Sequence, residues 1–562
     1  MERLLTDVLV IGGGGAAMRA AIAACDAGVS VLMAVKGGTG GGATGFGVSE
    51  MAGYNSPDGA VDPSDSPEAY YDDIIEAGMG MAIPDVAQVV ADNAEATVRQ
   101  LEEWGVRYER NPDGGLYAFK SCYSNKARTH VIKGHGEPIV KAMDEQIGKR
   151  DISIIENIQV VSLTIRDGMC VGAVAVTRNG GYLFISAKAT VLATGGASRI
   201  MAKNMNPPEV TGDGYAMAFK AGAELINMEF MQAGIGFIYP AVSLINAYIW
   251  GGHPTLRNVE GKEFMSSLPA GVNWKDVMDE HRRHFPFSSR DISRHLEVCI
   301  QREISDGRGT ANGGVYADFT MMTDAYVGGL SNEYGIHRMW PLAKDYFLSK
   351  KIRVDADKKT EIACFSHAIN GGVRIDANAE TSIPGLYAAG ETAGGPHGAD
   401  RLGGNMLVTC QVFGRIAGER AAAVSASSHA HAAELADFRN ALDETRNILS
   451  RKIDACAIRG ELSAMTQNCL LVRRTAAGLD SLSRRIDGLE MQILAAPGSD
   501  TVHPENMETA NLLLCAKIMA YSAMCREESR GSHFREDFPV VNPNFGKPRI
   551  VDKRIFPTRI LE

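Results

Sequence analysis

The sequence predicts an α/β protein, with a nucleotide-binding domain interrupted by an inserted α+β domain and followed by a helical one. Three observations predict it. The chain opens on an apolar run that ends in glycines, Val8-Leu9-Val10-Ile11-Gly12-Gly13-Gly14-Gly15-Ala16-Ala17, ahead of an alanine-rich stretch and a second apolar run. A second strand-derived, glycine-rich segment, Gly385-Leu386-Tyr387-Ala388-Ala389-Gly390-Glu391, stands two-thirds of the way along. Beyond about residue 430 the apolar residues fall into helical periods.

Composition narrows the field. The 562 residues are 45% hydrophobic and 22% charged, ordinary for a globular protein of roughly two to four domains. A net charge of -10 argues against nucleic acid as a partner, which would require a basic face. The ten cysteines include no C-x-x-C, so neither an iron–sulfur cluster nor a zinc site is expected, and the thiols suit a reducing cytoplasm. No apolar run reaches the ~18 residues that a membrane span needs, and no cleavable leader is recognisable.

In chain order, Asp7–Ile11 reads as a strand, Gly15–Ala27 as a helix and Val29–Val35 as the next strand. Helical periodicity over Asp85–Trp104 follows within a loop-rich region. Ile152–Asn157, Val160–Arg166, Cys170–Thr177 and Tyr182–Ser186 read as a strand meander leading into Ala193-Thr194-Gly195-Gly196. Thr211-Gly212-Asp213-Gly214 opens a helix. Around 240–355 the strand–helix alternation fades, and His253, His281, His284 and His295 there are read as lid residues. The expected boundaries are therefore 1–240 and 356–428 for the nucleotide-binding domain and 241–355 for the lid. A helical bundle is expected over 429–535 and an extended tail over 536–562.

The opening unit carries Gly12-x-Gly14-x-x-Ala17, the spacing that seats a pyrophosphate on a helix N-terminus; Gly12, Gly14, Gly15, Ala16 and Ala17 are the expected contacts. The acid that would bind a ribose at the end of the second strand is replaced by Lys36-Gly37, which argues against a simple NAD site. Two glycine-rich segments far apart in the chain suit a two-part FAD site instead. Lys36, Gly37, Thr44, Gly45, Ala193, Thr194 and Gly195 would line it, closed by Glu391 and by Asn405, Met406 and Leu407. Within the second segment, Arg401 supplies a fixed positive charge whose fork of donors matches a carboxylate.

These residues resemble the flavoprotein subunits of succinate dehydrogenase and fumarate reductase, and L-aspartate oxidase. The likeness is carried in order by Gly12–Ala17, Ala193-Thr194-Gly195-Gly196, Thr211-Gly212-Asp213-Gly214, Asn227-Met228-Glu229-Phe230-Met231-Gln232 and Ser289-Arg290-Asp291. It continues through His367 before Gly371-Gly372, Gly390-Glu391, His397-Gly398, Arg401-Leu402-Gly403-Gly404-Asn405 and Arg526–His533. The resemblance implies a Rossmann-like FAD-binding domain with FAD held in part by Asp213 and Glu391. It implies a substrate carboxylate clamped by Arg401 and His367, Arg290 as proton donor or acceptor, and an iron–sulfur or ferredoxin-like partner subunit.

The chain also departs from that family. Gln232-Ala233-Gly234-Ile235-Gly236 replaces Gln-Phe-His-Pro-Thr, so the histidine for a second carboxylate is missing. Asn246-Ala247-Tyr248-Ile249-Trp250-Gly251 replaces Thr-Glu-Gly-Ala-Arg-Gly, removing the Glu and Arg that feed the proton-transfer arginine. Gly40–Gly47 holds no histidine for a covalent flavin link, so a dissociable FAD is expected. The expected site therefore grips one carboxylate and leaves a small, apolar, open half, unsuited to succinate or fumarate. The alternative readings are amine oxidation on the aspartate oxidase plan, an adenylylsulfate-reductase-like activity and a non-catalytic electron-relay subunit.

Overall fold

In the computed structural model, which describes residues 2–427, 433–554 and 556, the opening run is a strand, Glu2–Ile11, fully buried at Val8–Ile11. It pairs in parallel with Val31–Val35 on one side and Tyr182–Leu192 on the other. Ile152–Glu156 and Leu386–Ala388 extend the parallel set outward. Buried parallel strands of this kind read as unbroken apolar runs because helices cover both faces. Register then decides where the site lies. Ile11 lies opposite Ala34 and Leu192, and Leu192 opposite Ala388, so four strands end in one row. The glycine-rich segments leave the sheet together at that edge, where ligands of parallel sheets bind.

Met169–Thr177 and Ile158–Arg166 complete the seven-stranded sheet as an antiparallel meander. Ile152–Glu156, expected in that meander, instead joins the parallel edge beside Val31–Val35. The runs at 182–186 and 189–192 are one continuous strand.

The helix Gly15–Asp26 packs bare against Asn405–Ser427. A Cβ on Gly414 would come within 2.9 Å of Ala16 O, and one on Gly418 would run into Ala20 O. Nothing larger than a hydrogen fits between these backbones, and the second glycine-rich segment is thereby held over the first.

The inserted domain is built on a five-stranded sheet. Its order is Ser243–Leu244, Met231–Tyr239, Thr360–Ile369, Val315–Asp318, Thr255–Arg257. The helices Trp274–His281, His295–Glu303 and Ile336–Ser349 accompany it. Its two long strands fall outside the boundaries expected at 240 and 356, because they pair with each other rather than with the nucleotide-binding sheet.

The helical region contains Leu435–Leu449, Ala455–Cys469, Ala476–Ala495 and Pro504–Cys525; the start expected at 429 lies outside the described residues. Pro504–Cys525 is buried on nearly all sides, and Asn511 Nδ2 reaches back to Asp213 Oδ1 at 2.8 Å. Within the tail, Ile550–Val551 forms a strand against Leu225–Ile226, while residues 557–562 lie outside the described residues. Among the described residues no helix is long and apolar enough to cross a membrane.

A buried ion network fastens the end of the helical region to the rest. Arg526 Nε meets Glu229 Oε1 at 2.6 Å, and its Nη1 meets Glu528 Oε1 at 2.8 Å. Arg530 Nε completes the set on Glu528 at 2.8 Å. Removing one partner of a buried pair leaves the other charge dry. Arg526→Met should therefore cost about 3–5 kcal/mol, read as a lowered urea midpoint; a loss below about 1 kcal/mol would match a solvated surface pair instead.

Candidate active site

A cavity of about 360 Å³ opens along the row of strand ends. Gly12, Gly14, Gly15, Ala16, Lys36, Gly37, Thr44, Ala193, Thr194, Gly195, Asp213, Glu391, Met406 and Leu407 line it. Gly12 has a φ of +131°, and a Cβ there would run into Ala193 O. No side chain caps the Gly15–Asp26 helix, and its first backbone bond runs from Met18 N to Gly14 O. The amides of Gly15, Ala16 and Ala17 are thus free for an anion. A cradle that side chains would fill, ending on open amides, fits the pyrophosphate of FAD.

Lys36 is held by two acids. Its Nζ lies 2.8 Å from Asp213 Oδ2 and 3.0 Å from Glu508 Oε1, on the last long helix. Burial opposes its charge, but these carboxylates outweigh burial and raise its pKa. Glu391 accepts the Ile369 N–H at 2.9 Å, and burial pushes its carboxyl up to about 7.

Three of the expected cofactor contacts stand off the cavity wall. Ala17 is buried behind it in the helix, and Gly45 packs on Val140. Asn405 closes a buried polar knot, accepting from Asn55 Nδ2 and Tyr70 OH, both at 2.5 Å. It positions the loop rather than facing the ligand.

Arg401 and His367 also line the cavity. Arg401 is 5% exposed; its Nε donates to Gln232 Oε1 at 3.0 Å and its Nη1 to Leu402 O at 2.9 Å. Nη2 has no partner among the described residues. Burial lowers the pKa of this arginine in spite of the nearby Glu391, and among the described residues no carboxylate forms an ion pair with it. A dry cation without a counterion is a binding site for one. Burial and the Arg401 charge push His367 down to about 3, so its imidazole is neutral at working pH.

The other half of this site is apolar, as expected, but it is not open. A Cβ on Gly234 would collide with the Phe285 ring, which fills the place of the missing histidine. Phe285 forms an apolar cluster with Met205, Leu244 and Phe365, and meets His367 edge-on with ring centroids 5.1 Å apart. Ala247 packs on this cluster and Tyr248 lines the cavity, whereas Trp250 is wholly buried.

Arg290 stands behind the wall. Its Nε and Nη2 lie 3.0 and 2.8 Å from Asp400 Oδ2, and Nη2 also donates to Ala77 O at 3.0 Å. The guanidinium lies 4.5 Å over the Tyr123 ring. Tyr123 OH is 3.1 Å from His284 Nδ1, and His284 Nε2 is 3.1 Å from Asp291 Oδ2. Burial opposes the charge of His284, but Asp291 outweighs it and raises the pKa. His284, read from the sequence as a lid residue, is thus buried in a polar chain that ends on Arg290.

Sequence reasoning missed Asp400, Tyr123 and Phe285, whose partners come from distant segments. It also missed His135, which lines the cavity with its Nδ1 buried and unpartnered and is pushed by burial down to about 4. The glycines on either side of it, Gly134 and Gly136, were the available signal. Among the described residues no group of His, Cys, Asp or Glu is arranged to hold a metal ion.

Residues 7–407 match the family described as FAD binding domain, and residues 459–553 the one described as fumarate reductase flavoprotein C-term. A subunit of the fumarate reductase (CoM/CoB) of Methanothermobacter marburgensis is 32% identical over 98% of this chain and 98% of its own. An L-aspartate oxidase of Streptomyces coelicolor is 29% identical over 95% of this chain and 89% of its own. Among solved structures, Mycobacterium smegmatis Sdh1 in complex with UQ1 matches with a TM-score of 0.82 and 27% identity, covering 97% of this chain and 91% of that one.

The cradle and the raised carboxyl each give an expected outcome. Gly12→Ala should fold but purify without flavin, seen as a collapsed ratio of absorbance at ~450 to ~280 nm; full flavin content would mean the backbone can yield. For Glu391 the sign follows from its raised pKa. The folded chain holds that proton more tightly, so its contribution is full below about 4.5 and is lost as pH rises through about 7. Apo Glu391→Gln should gain on the apo parent across that window, by up to about 3 kcal/mol. Thermal melts against pH check this, and a difference flat in pH would show a carboxyl solvated by the cavity.

Proposed function

The chain belongs to the succinate dehydrogenase/fumarate reductase flavoprotein family and is an FAD-dependent oxidoreductase; on that premise we propose that it adds or removes hydrogen across a carbon–carbon bond beside a carboxylate. The observation that carries this is Arg401, a buried cation with one guanidinium nitrogen free on the cavity. Two of its nitrogens are fixed on protein oxygens, so the third is preorganised for a substrate carboxylate. When bound, FAD supplies the two-electron chemistry, exchanging a hydride with one carbon of that bond.

The chain's own groups do the rest. Gly12, Gly14 and the amides of the first helical turn hold the pyrophosphate, and Arg401 holds the carboxylate. Neutral His367 adds a hydrogen bond without a second charge. Phe285, Met205 and Leu244, backed by Phe365, bury the apolar body of the substrate and keep water from the reacting carbons. Arg290 is assigned the proton for the second carbon by the resemblance alone: it stands behind the cavity wall on Asp400, with Nη1 as its one nitrogen without a partner among the described residues. Asp400, Tyr123 and His284 are the polar groups of the chain that ends on it.

Three further features belong to this proposal. FAD is non-covalent, since Gly40–Gly47 lacks a histidine. Electrons pass through a partner, in which an iron–sulfur centre is expected, because the relatives are named as subunits. The ten unpaired cysteines suit a reducing, cytoplasmic setting. Fumarate itself is the second reading, favoured by the name of the 32% relative. The Phe285 ring over Gly234 weighs against it.

Anaerobically reduced protein should be reoxidised quickly by crotonate or cinnamate and slowly by fumarate. Arg401→Met should cost about 100-fold in kcat/KM with flavin retained. Rapid reoxidation by fumarate would establish the second reading, and indifference to all three acids together with an unaffected Arg401 variant would point to an electron relay.

A further inference from the structure

The same cavity is lined by a second set of cations. Lys120 follows the short strand Ala118–Phe119, and Arg282 and Arg283 follow the helix Trp274–His281. Arg283 is satisfied by Glu280 and by the Tyr334 hydroxyl. The other two are not. Lys120 makes no hydrogen bond or ion pair with any described residue. The Arg282 side chain makes no hydrogen bond, and its Nε is buried without a partner. Its nearest acid, Asp279, is 3.9 Å away, 41% exposed, and lies closer to His253, at 3.1 Å. The Tyr334 ring lies 5.9 Å from the guanidinium.

Both side chains are partly exposed, that of Arg282 by 25%, so the donors left open on them can meet an anion in the cavity. The pyrophosphate of FAD belongs at the other end, on the helix that begins at Gly15. The surroundings of Arg282 add a second argument. Trp250 stands at the position where the family pattern has an arginine, and it is fully buried. The stem of Arg282 lies against the neighbouring Gly251.

We infer that Lys120 and Arg282 form an anion subsite for a second, distal carboxylate or similarly charged group of the substrate. That group is carried beyond the apolar body packed on Phe285. The inference rests on the reading in which the first carboxylate sits on Arg401. It names the substrate class as dianions longer than a C4 dicarboxylate.

The test uses the oxidised, FAD-loaded full chain, titrated with cinnamate and with 4-carboxycinnamate while the flavin absorbance is followed. The two acids share one body and differ by the distal carboxylate. The expected result is that 4-carboxycinnamate binds at least ten-fold more tightly. In the double variant Lys120→Gln/Arg282→Gln that preference should vanish, while the Kd for cinnamate stays within about threefold. Equal affinities in the parent protein, or a preference that survives the double variant, overturn the subsite alone. No flavin response to either acid overturns the carboxylate reading and the subsite with it. A preference that persists in Arg401→Met upholds the subsite and moves the first carboxylate elsewhere. Circular dichroism and flavin content of the double variant separate lost recognition from lost folding.

Discussion

The contact between the helices Gly15–Asp26 and Asn405–Ser427 governs the rest of this structure. Their backbones meet at Gly414 and Gly418 with no side chain between them. That separation fixes how close the segment holding Glu391 and Arg401 comes to the first glycine turn. A larger residue at either position would lift one half of the cofactor cradle off the other. The shared register of four strand ends does the same within the sheet plane. Sheet and helix seam together turn two remote stretches of sequence into the walls of one slot.

On that frame the charges are distributed unevenly, and the unevenness is functional. Asp400 and Arg401 are neighbours in the chain and face opposite ways. Asp400 is spent on Arg290 and Ser288, whereas Arg401 receives only neutral oxygens. Had Arg401 met Asp400, the two would have cancelled and the cavity would hold no fixed cation. Burial pushes Glu391 upward and His367 downward, so both acquire neutral forms near working pH. The one permanent charge beside His367 is then the guanidinium, which keeps its proton where a lysine or histidine would lose it.

The outer domains reach the site through specific side chains. The helix Pro504–Cys525 sends Asn511 to Asp213, and its Glu508 to Lys36. The inserted domain, in which Phe285 packs on Gly234, brings Phe285 and Arg282 to the cavity wall. A shift of either domain would therefore be felt at the cofactor or at the substrate end.

Much of this was legible in the residues. Gly12–Ala17 and Gly390–Leu407 announced the slot because backbone approach demands glycine and leaves a visible pattern. Arg401 and His367 were legible from the motifs around them. The lost histidine at Gly234 was legible too, as an absence. What replaced it was not, since Phe285 reaches Gly234 from a segment some fifty residues away and an isolated phenylalanine carries no signal. The boundaries at 240 and 356 failed for a related reason: a buried apolar run reads the same whichever sheet it joins. By itself, then, the sequence determined the fold class and the cofactor class, and it picked out Arg401 as a residue of the cavity, because these depend on local backbone shape and residue chemistry. Only tertiary structure decided which acid Arg290 holds, what fills the far side of the pocket and which cations remain unpaired, because those depend on side chains that meet only after the sheets and helices have packed.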